Sequence, residues 1–335
     1  MRNNAVAVDL GSVNTVIYRL GSGIALSEPS VVALSVGGKQ SVRAVGAEAK
    51  KLIGKTAETT RIVFPVSEGQ IVDVKNAAVM TENFLNKITL RKLSLRPKVL
   101  LSVPCGLENS EIKKYEKTLN GAGVYNADFV ESPILTALGL GAPVSESNPC
   151  FIIDVGGGTT NVAAVSLDGV IAGVNVNMGG RNVDAMIINR VADLFGLRIG
   201  MLTAERIKTQ IASLIDGDAT RAVVNGRDVE TGKPRSVSVS AEDVALPVRA
   251  FFDKIFEIAG MVMAKLPAEV SAEIRRSGVY FAGGTSRMPG LDAYFRETMA
   301  IRANVSEDPE NATAVGGGIL LGNEKLLKKL RIEKR

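Results

Sequence analysis

The chain has no histidine and no tryptophan, and its only two cysteines are Cys105 and Cys150. Without an imidazole, Ser-His-Asp and Cys-His catalysis are excluded. Two cysteines alone cannot assemble a zinc cluster. Any chemistry must run through carboxylates, amides, hydroxyls, lysine, arginine and a bound metal ion. Aromatic residues make up 4%, too few to build stacking platforms for single-stranded nucleic acid, so no nucleic-acid partner is expected. No apolar run reaches the roughly 20 residues that span a bilayer. MRNN leads directly into AVAVDL, without the apolar region and cleavage site of a signal peptide. A cytoplasmic location is the expectation. Neither GxxxxGKS/T nor GxGxxG occurs, which removes the P-loop and the dinucleotide turn.

What is present is an ordinary globular composition: 335 residues, 46% hydrophobic, 22% charged, net charge +5. That length exceeds one small core and suits two lobes. The mild positive charge permits an anionic partner without specifying one.

Two segments repeat. AVAVDLGSVNTVIYRL (5–20) and FIIDVGGGTTNVAAVSL (151–167) each read as an apolar run, an Asp, an apolar residue, a Gly, three residues, a Thr and a second apolar run. Asp9 aligns with Asp154, Gly11 with Gly156 and Thr15 with Thr160. Buried strands around a Gly turn predict two β-hairpins. Glycine lets backbone N–H groups approach an anion, and the Asp can hold a hydrated cation. One such hairpin alone reads first as a Gly turn with a capping Asp; two copies favour a duplicated lobe with a ligand between them.

Other segments are ambiguous alone. VYFAGGTSRMPGLDAYF (279–295) is a strand, Gly283-Gly284 and a helix after Pro289-Gly290; it is a ligand-approach site or a plain strand-to-helix turn. TAERIKTQIASL (203–214) predicts a helix capped by Thr203, with Glu205 and Lys208 on one face, ready for a ribose or a solvated ion pair. In FVESPILTALGLG (129–141), Ser132 caps a helix with Pro133 at its first position. That leaves Glu131 exposed at the junction, either to polarise a water or as a surface residue.

These three turns in this order resemble the actin, sugar-kinase and heat-shock chaperone superfamily. Within it, nearly the whole chain resembles bacterial MreB. The runs that carry this are GSGIALSEPSVVAL (21–34), SEGQIVD (67–73), RPKVLLSVPCG (96–106), FVESPILTALGLGAPV (129–144), TAERIKTQIASL and EDPENATAVGGGILL (307–321). The resemblance implies an α/β, actin-like (duplicated ribonuclease H-like) two-lobed fold with four subdomains and a central nucleotide cleft. One lobe would hold 1–145, with an insertion near 30–70 and residues 313–335 packing back on it. The other would hold 146–312, with an insertion near 184–246.

ATP and Mg²⁺ would occupy the cleft. Carried over by position, Asp9, Gly11, Ser12, Val13 and Asn14 face the phosphates from one hairpin; Gly156, Gly157, Gly158, Thr159 and Thr160 do so from the other. Glu205, Arg206, Ile207 and Lys208 approach ribose and adenine, as do Gly283, Gly284, Thr285, Ser286 and Arg287. Asp9 and Asp154 flank the Mg²⁺ through water. Glu131 matches the water-activating position, with Asp154 and Asn161 beside it. There are departures: GGGTTN replaces GGGTTE at Asn161, AGGTS replaces TGGGA, and Arg181 stands where an acidic residue is expected. Asn orients water but cannot take its proton, so hydrolysis is expected to be slow.

The resemblance further implies self-assembly into protofilaments, paired antiparallel on the inner membrane face, with membrane-bound cell-shape and wall-synthesis proteins as partners. A DNA-segregating filament ATPase and a small-molecule kinase share the superfamily and are the alternatives. Residues 88–97, ITLRKLSLRP, set Leu93 and Leu95 among basic residues; they either enter lipid headgroups or pack inward. The tail EKLLKKLRIEKR (324–335) is a short basic amphipathic pattern that reads first as a solvated terminal helix, with added lipid affinity as the alternative.

Overall fold

The computed structural model describes residues 4–37, 41–55, 59–88, 97–144 and 148–333. The chain opens with the hairpin β1 (Ala5–Leu10) and β2 (Asn14–Arg19), extended by β3 (Gly23–Pro29). A small sheet follows from β4 (Val32–Ser35), β5 (Ser41–Val45) and β6 (Thr60–Val63), with the short helix α1 (Ala47–Lys50) and the two-residue strands β7 (Val66–Ser67) and β8 (Gln70–Ile71). Helices α2 (Val74–Ile88), α3 (Asn109–Gly121) and α4 (Ser132–Gly139) then alternate with strands β9 (Lys98–Val103) and β10 (Ala127–Glu131).

The second half restarts the pattern with β11 (Cys150–Val155), β12 (Thr160–Ser166) and β13 (Gly169–Val176). Helix α5 (Gly180–Phe195), strand β14 (Leu197–Arg198), helix α6 (Met201–Gln210) and the hairpin β15 (Arg221–Asp228) and β16 (Pro234–Ser240) come next. Helices α7 (Ala241–Met263) and α8 (Ala268–Ser277), strand β17 (Val279–Ala282), a 3₁₀ turn at Gly284–Arg287, helix α9 (Leu291–Met299) and strand β18 (Ala303–Val305) lead to α10 (Ala312–Leu321) and α11 (Glu324–Leu330).

The two large sheets have the same plan. Their strand orders are β10-β9-β1-β2-β3 and β13-β12-β11-β17-β18. In each, an antiparallel meander meets a parallel neighbour: β1 pairs with β9, and β11 with β17. Both central strands are nearly continuous apolar runs because both of their faces are covered. The repeated hairpins also close alike. Gly11 N–H donates to Asn14 O at 3.1 Å, and Gly156 N–H to Thr159 O at 2.9 Å. The sequence repeat is thus a repeat of topology and of turn geometry.

Helices α4 and α10 lie between the sheets. Their core joins Ala7 and Leu100 of one sheet to Ile152, Ala163 and Val165 of the other. Three consecutive glycines inside α10 would ordinarily weaken a helix; here they permit contact. A Cβ at Gly316 would lie 1.7 Å from Leu135 O, at Gly317 2.5 Å from Ala7 Cβ, and at Gly318 2.2 Å from the Tyr18 ring. Gly139 of α4 answers from the opposite side, where a Cβ would meet Ala312 O at 1.8 Å.

Local expectations need correction at two helix starts. Helix α4 begins at Ser132, after Glu131, with no side-chain cap bond, so Ser132 is helical rather than capping. Helix α6 starts two residues before Thr203, with Gly200 at its N-cap. At the C-terminus, Leu327 and Leu330 of α11 are buried in the core between the sheets. Its basic residues stay outside, where Lys329 pairs with Asp168 at 2.6 Å. The leucines of this amphipathic tail therefore face protein. Leu93 and Leu95 lie outside the described residues. Among the described residues no helix is long and apolar enough to cross a membrane.

Candidate functional site: a cleft between two glycine turns

The hairpin turns face each other. A Cβ at Gly157 would lie 2.2 Å from Val13 Cγ2, and one at Gly158 would lie 2.7 Å from Ser12 Cβ. Glycine is required there because the opposite turn already fills the space. Between and beside the turns lies a cleft of about 480 Å³ lined by Asp9, Gly11 to Asn14, Asp154, Gly156 to Thr159 and Asn161. Its size is in the range of small-molecule sites. The 67–69 turn completes the floor: Gly69 N–H donates to Ser12 Oγ at 3.2 Å, and Tyr115 Oη–H to Gly69 O at 2.8 Å.

Asp9 and Asp154 are half-buried carboxylates of the cleft; Asp184, which is buried, pairs with Lys208. Ser102 Oγ–H donates to Asp9 Oδ1 at 2.6 Å. Thr136 and Thr313 hydroxyls, 2.8 Å apart, reach Asp154 Oδ2 at 3.3 and 3.5 Å. Burial pushes the Asp9 carboxyl above the usual range, partly offset by Ser102. Burial, and then the charge of Asp9, push Asp154 up to about 7, against the two threonine bonds. Among the described residues neither carboxylate has an ion-pair partner, and two such groups suit a divalent cation. Among the described residues no third metal-ligating side chain joins them. The donor set fits Mg²⁺, which keeps most of its water and takes phosphate oxygens for the rest.

On the flank away from the hairpins, helix α6 presents Glu205, Lys208 and Thr209 to the cleft. That is the i, i+3, i+4 face. Arg206 and Ile207 turn away, Arg206 to solvent and Ile207 into the core. Gly283, Gly284, Thr285 and Arg287 also line the cleft. Gly283 has φ +82, and a Cβ there would sit 2.6 Å from Asp154 Oδ1. Ser286 is buried and donates to Ala282 O. Thr160 is buried at the base of its hairpin, donating to Met178 O at 2.7 Å. Arg206, Ile207, Ser286 and Thr160 therefore do not reach the cavity.

Glu131 does not line the cavity either. Half-buried instead of exposed, it accepts the Gly106 N–H at 2.8 Å through Oε1. Asn161 Oδ1 accepts the neighbouring Cys105 N–H at 3.1 Å. The turn after β9 is thus held from both sheets, and both side chains are engaged in holding it. Burial, helped by Glu131, pushes the Cys105 thiol up to about 12. Ser132, next to Glu131, stands on the cleft wall with Asn161, buried, its hydroxyl without a partner among the described residues.

Several cleft groups escaped the sequence reading. Ser102, Thr136 and Thr313 are polar residues inside apolar runs, a pattern that could have been noticed. Lys50, Glu68 and Asn177 left no local signal. They bridge the lobes: Lys50 Nζ meets Glu205 Oε1 at 2.9 Å, and Asn177 Nδ2 donates to Glu68 Oε2 at 3.2 Å. Arg181 bridges as well. Its Nη2 donates to Ser12 O at 2.7 Å, and its guanidinium lies over the Phe64 ring, 4.7 Å from the centroid.

The family model described as MreB/Mbl protein matches residues 3–329. The chain belongs to the MreB/Mbl family. Among similar MreB/Mbl proteins, the cell shape-determining protein MreB of Escherichia coli K12 is 35% identical over 95% of this chain and 93% of its own length. Mbl of Bacillus subtilis is 31% identical over 98% of each. The solved structure of Spiroplasma citri MreB5 bound to ADP superposes with a TM-score of 0.89 at 26% identity, covering 96% of this chain and 97% of that one. The same protein bound to AMPPNP gives 0.87. The fold is actin-like, as the duplicated sheets indicate. Against the expected MreB pattern, Asn161 and Arg181 both fall on this cleft.

Proposed function

We propose that this protein is an ATP-binding, actin-like filament protein that works at the inner face of the cell membrane, where it organises wall synthesis and cell shape. The observation that carries the reading is the apposition of two glycine turns across a cleft that holds the half-buried carboxylates of Asp9 and Asp154. Its family supports it: the Escherichia coli relative is named for cell shape, and the Spiroplasma relative was solved with AMPPNP and with ADP.

In this reading Ser12, Val13, Asn14 and Gly157 to Thr159 offer backbone N–H groups and hydroxyls to the phosphates, with Gly156 closing the turn. Glu205, Lys208 and the Gly283 to Arg287 turn hold the nucleoside. Asp9 and Asp154 hold a hydrated Mg²⁺, which neutralises phosphate charge when bound. The lobes are 1–145 with 313–335, and 146–312, hinged where α4 and α10 cross. Hydrolysis is slow. Asn161 cannot accept a proton, and Glu131 must release Gly106 before it can polarise a water. Filaments pair antiparallel on anionic lipid, with Leu93 and Leu95 entering the headgroups, and recruit membrane-bound shape and wall-synthesis proteins.

The test is sedimentation and electron microscopy with ATP or a non-hydrolysable analogue, with and without anionic vesicles. Filaments with either nucleotide, enriched on vesicles, are expected. A monomer under every condition, at high protein concentration, would overturn the proposal. Glu131→Ala should keep nucleotide binding and slow phosphate release; unchanged release would remove Glu131 from the catalytic assignment.

A further inference from the structure

Four cationic side chains line the cleft: Lys50, Arg181, Lys208 and Arg287. Three are already neutralised. Lys50 pairs with Glu205 at 2.9 Å, Lys208 with Asp184 at 2.8 Å and Arg287 with Glu310 at 2.8 Å. Arg181 alone among them makes no ion pair with a described carboxylate. Its hydrogen bond goes to a carbonyl, Ser12 O, and its face to the Phe64 ring. It is also half-buried. A partly buried cation that meets only a carbonyl and a ring has lost water without gaining a counter-charge. Burial accordingly lowers its proton affinity, while the more distant Asp184 and Glu205 raise it.

The placement of Arg181 is as specific as its lack of a partner. Its backbone N–H donates to Gly157 O of the second turn at 2.8 Å, while its side chain reaches Ser12 O of the first. The guanidinium therefore sits between the two hairpin tips. A guanidinium carries five N–H donors; one goes to Ser12 O, and stacking over a ring leaves the rest accessible in its own plane. Phosphate oxygens match that fork.

We infer that Arg181 is a phosphate ligand, binding the phosphates beyond the first of a nucleotide held in this cleft and tying both turns to them. The inference rests on the nucleotide reading above and adds a residue to it. Because the side chain spans the lobes, loss of the terminal phosphates removes an anion that holds them together.

The test is calorimetric titration of the full chain with ATP, ADP and AMP, each with Mg²⁺, in the native protein, Arg181→Met and Arg181→Lys. Arg181→Met keeps length and apolar contact but loses charge. It should weaken ATP and ADP by about tenfold or more, the size of a charge-assisted hydrogen bond, and leave AMP within about twofold. Arg181→Lys should retain part of the ATP affinity, because the charge stays and the fork is lost. An ATP affinity unchanged in Arg181→Met, or an equal loss for all three nucleotides, overturns the inference. If Arg181→Met does not fold, the ATP-to-AMP affinity ratio of Arg181→Lys decides by the same criterion. A native protein that binds none of the three overturns the nucleotide reading itself, a result distinct from either variant outcome.

Discussion

Asp154 shows how much a single residue's environment matters here. Its carboxyl is half-buried, faces the charge of Asp9, and is pushed up to about 7 despite two hydroxyl partners. Asp154→Asn removes that repulsion. Without ligand the variant should be more stable, by on the order of a few kcal/mol, read as a higher Tm at pH 8. The same variant should lose Mg²⁺-dependent nucleotide binding, since a neutral amide cannot replace the charge. A lower Tm would mean that the hydroxyl bonds outweigh the repulsion. The cysteines give an independent check. Burial pushes Cys105 up to about 12 and Cys150 up to about 11. Both stay protonated at pH 8, and the thiolate is the reactive form. Iodoacetamide should label neither in the folded protein and both after denaturation.

At the scale of elements, the crossing of α4 and α10 is the most demanding contact. Gly139 and Gly316 let the two backbones meet, and a Cβ at Gly316 would lie 1.7 Å from Leu135 O. A backbone carbonyl cannot swing aside as a side-chain end can. Gly316→Ala should therefore destabilise despite its better helix propensity, by roughly 2–4 kcal/mol as an overpacking mutation; a lower denaturant midpoint would register it. An exposed helix position with the same exchange would gain stability. This packing also explains why the closing GGG is helical: propensity alone argues against it, and the neighbouring helix and sheet override it.

Across the whole molecule, the lobes meet at the cleft through Lys50–Glu205 and Arg181–Ser12, and also through Asn177–Glu68. Glu205 thus pairs with Lys50 and is also assigned to the nucleoside. Lys50 and Glu205 are both about one-third exposed, so their coupling should be modest, about 0.2–1 kcal/mol. Lys50→Glu should speed nucleotide release by about 1.4- to fivefold, the rate equivalent of that coupling, and Lys50→Met, which removes the pair without adding repulsion, should do so less. Stopped-flow release of a fluorescent ATP analogue measures both. No change in Lys50→Glu would show that the bridge does not restrain the mouth.

The amino-acid sequence by itself determined the duplicated hairpins, the positions of Asp9 and Asp154, the strand before Gly283 and the family. Each of these is local: an apolar run, a turn and a fixed spacing are read without knowing what packs against them. Only the tertiary structure decided which neighbours in sequence face the cleft. Glu131 and Ser132 are adjacent, yet a strand-to-helix junction turns one toward Gly106 and the other to the cavity wall. Lys208 reaches the cleft while Ile207 enters the core, because successive residues on a helix point about 100° apart. The three hydroxyls around Asp9 and Asp154, and the bridging Lys50 and Arg181, come from segments far apart in the chain. A polar residue in an apolar run can mark such a group, but the pairings exist only once the two sheets close around α4 and α10, so no local pattern could reveal them.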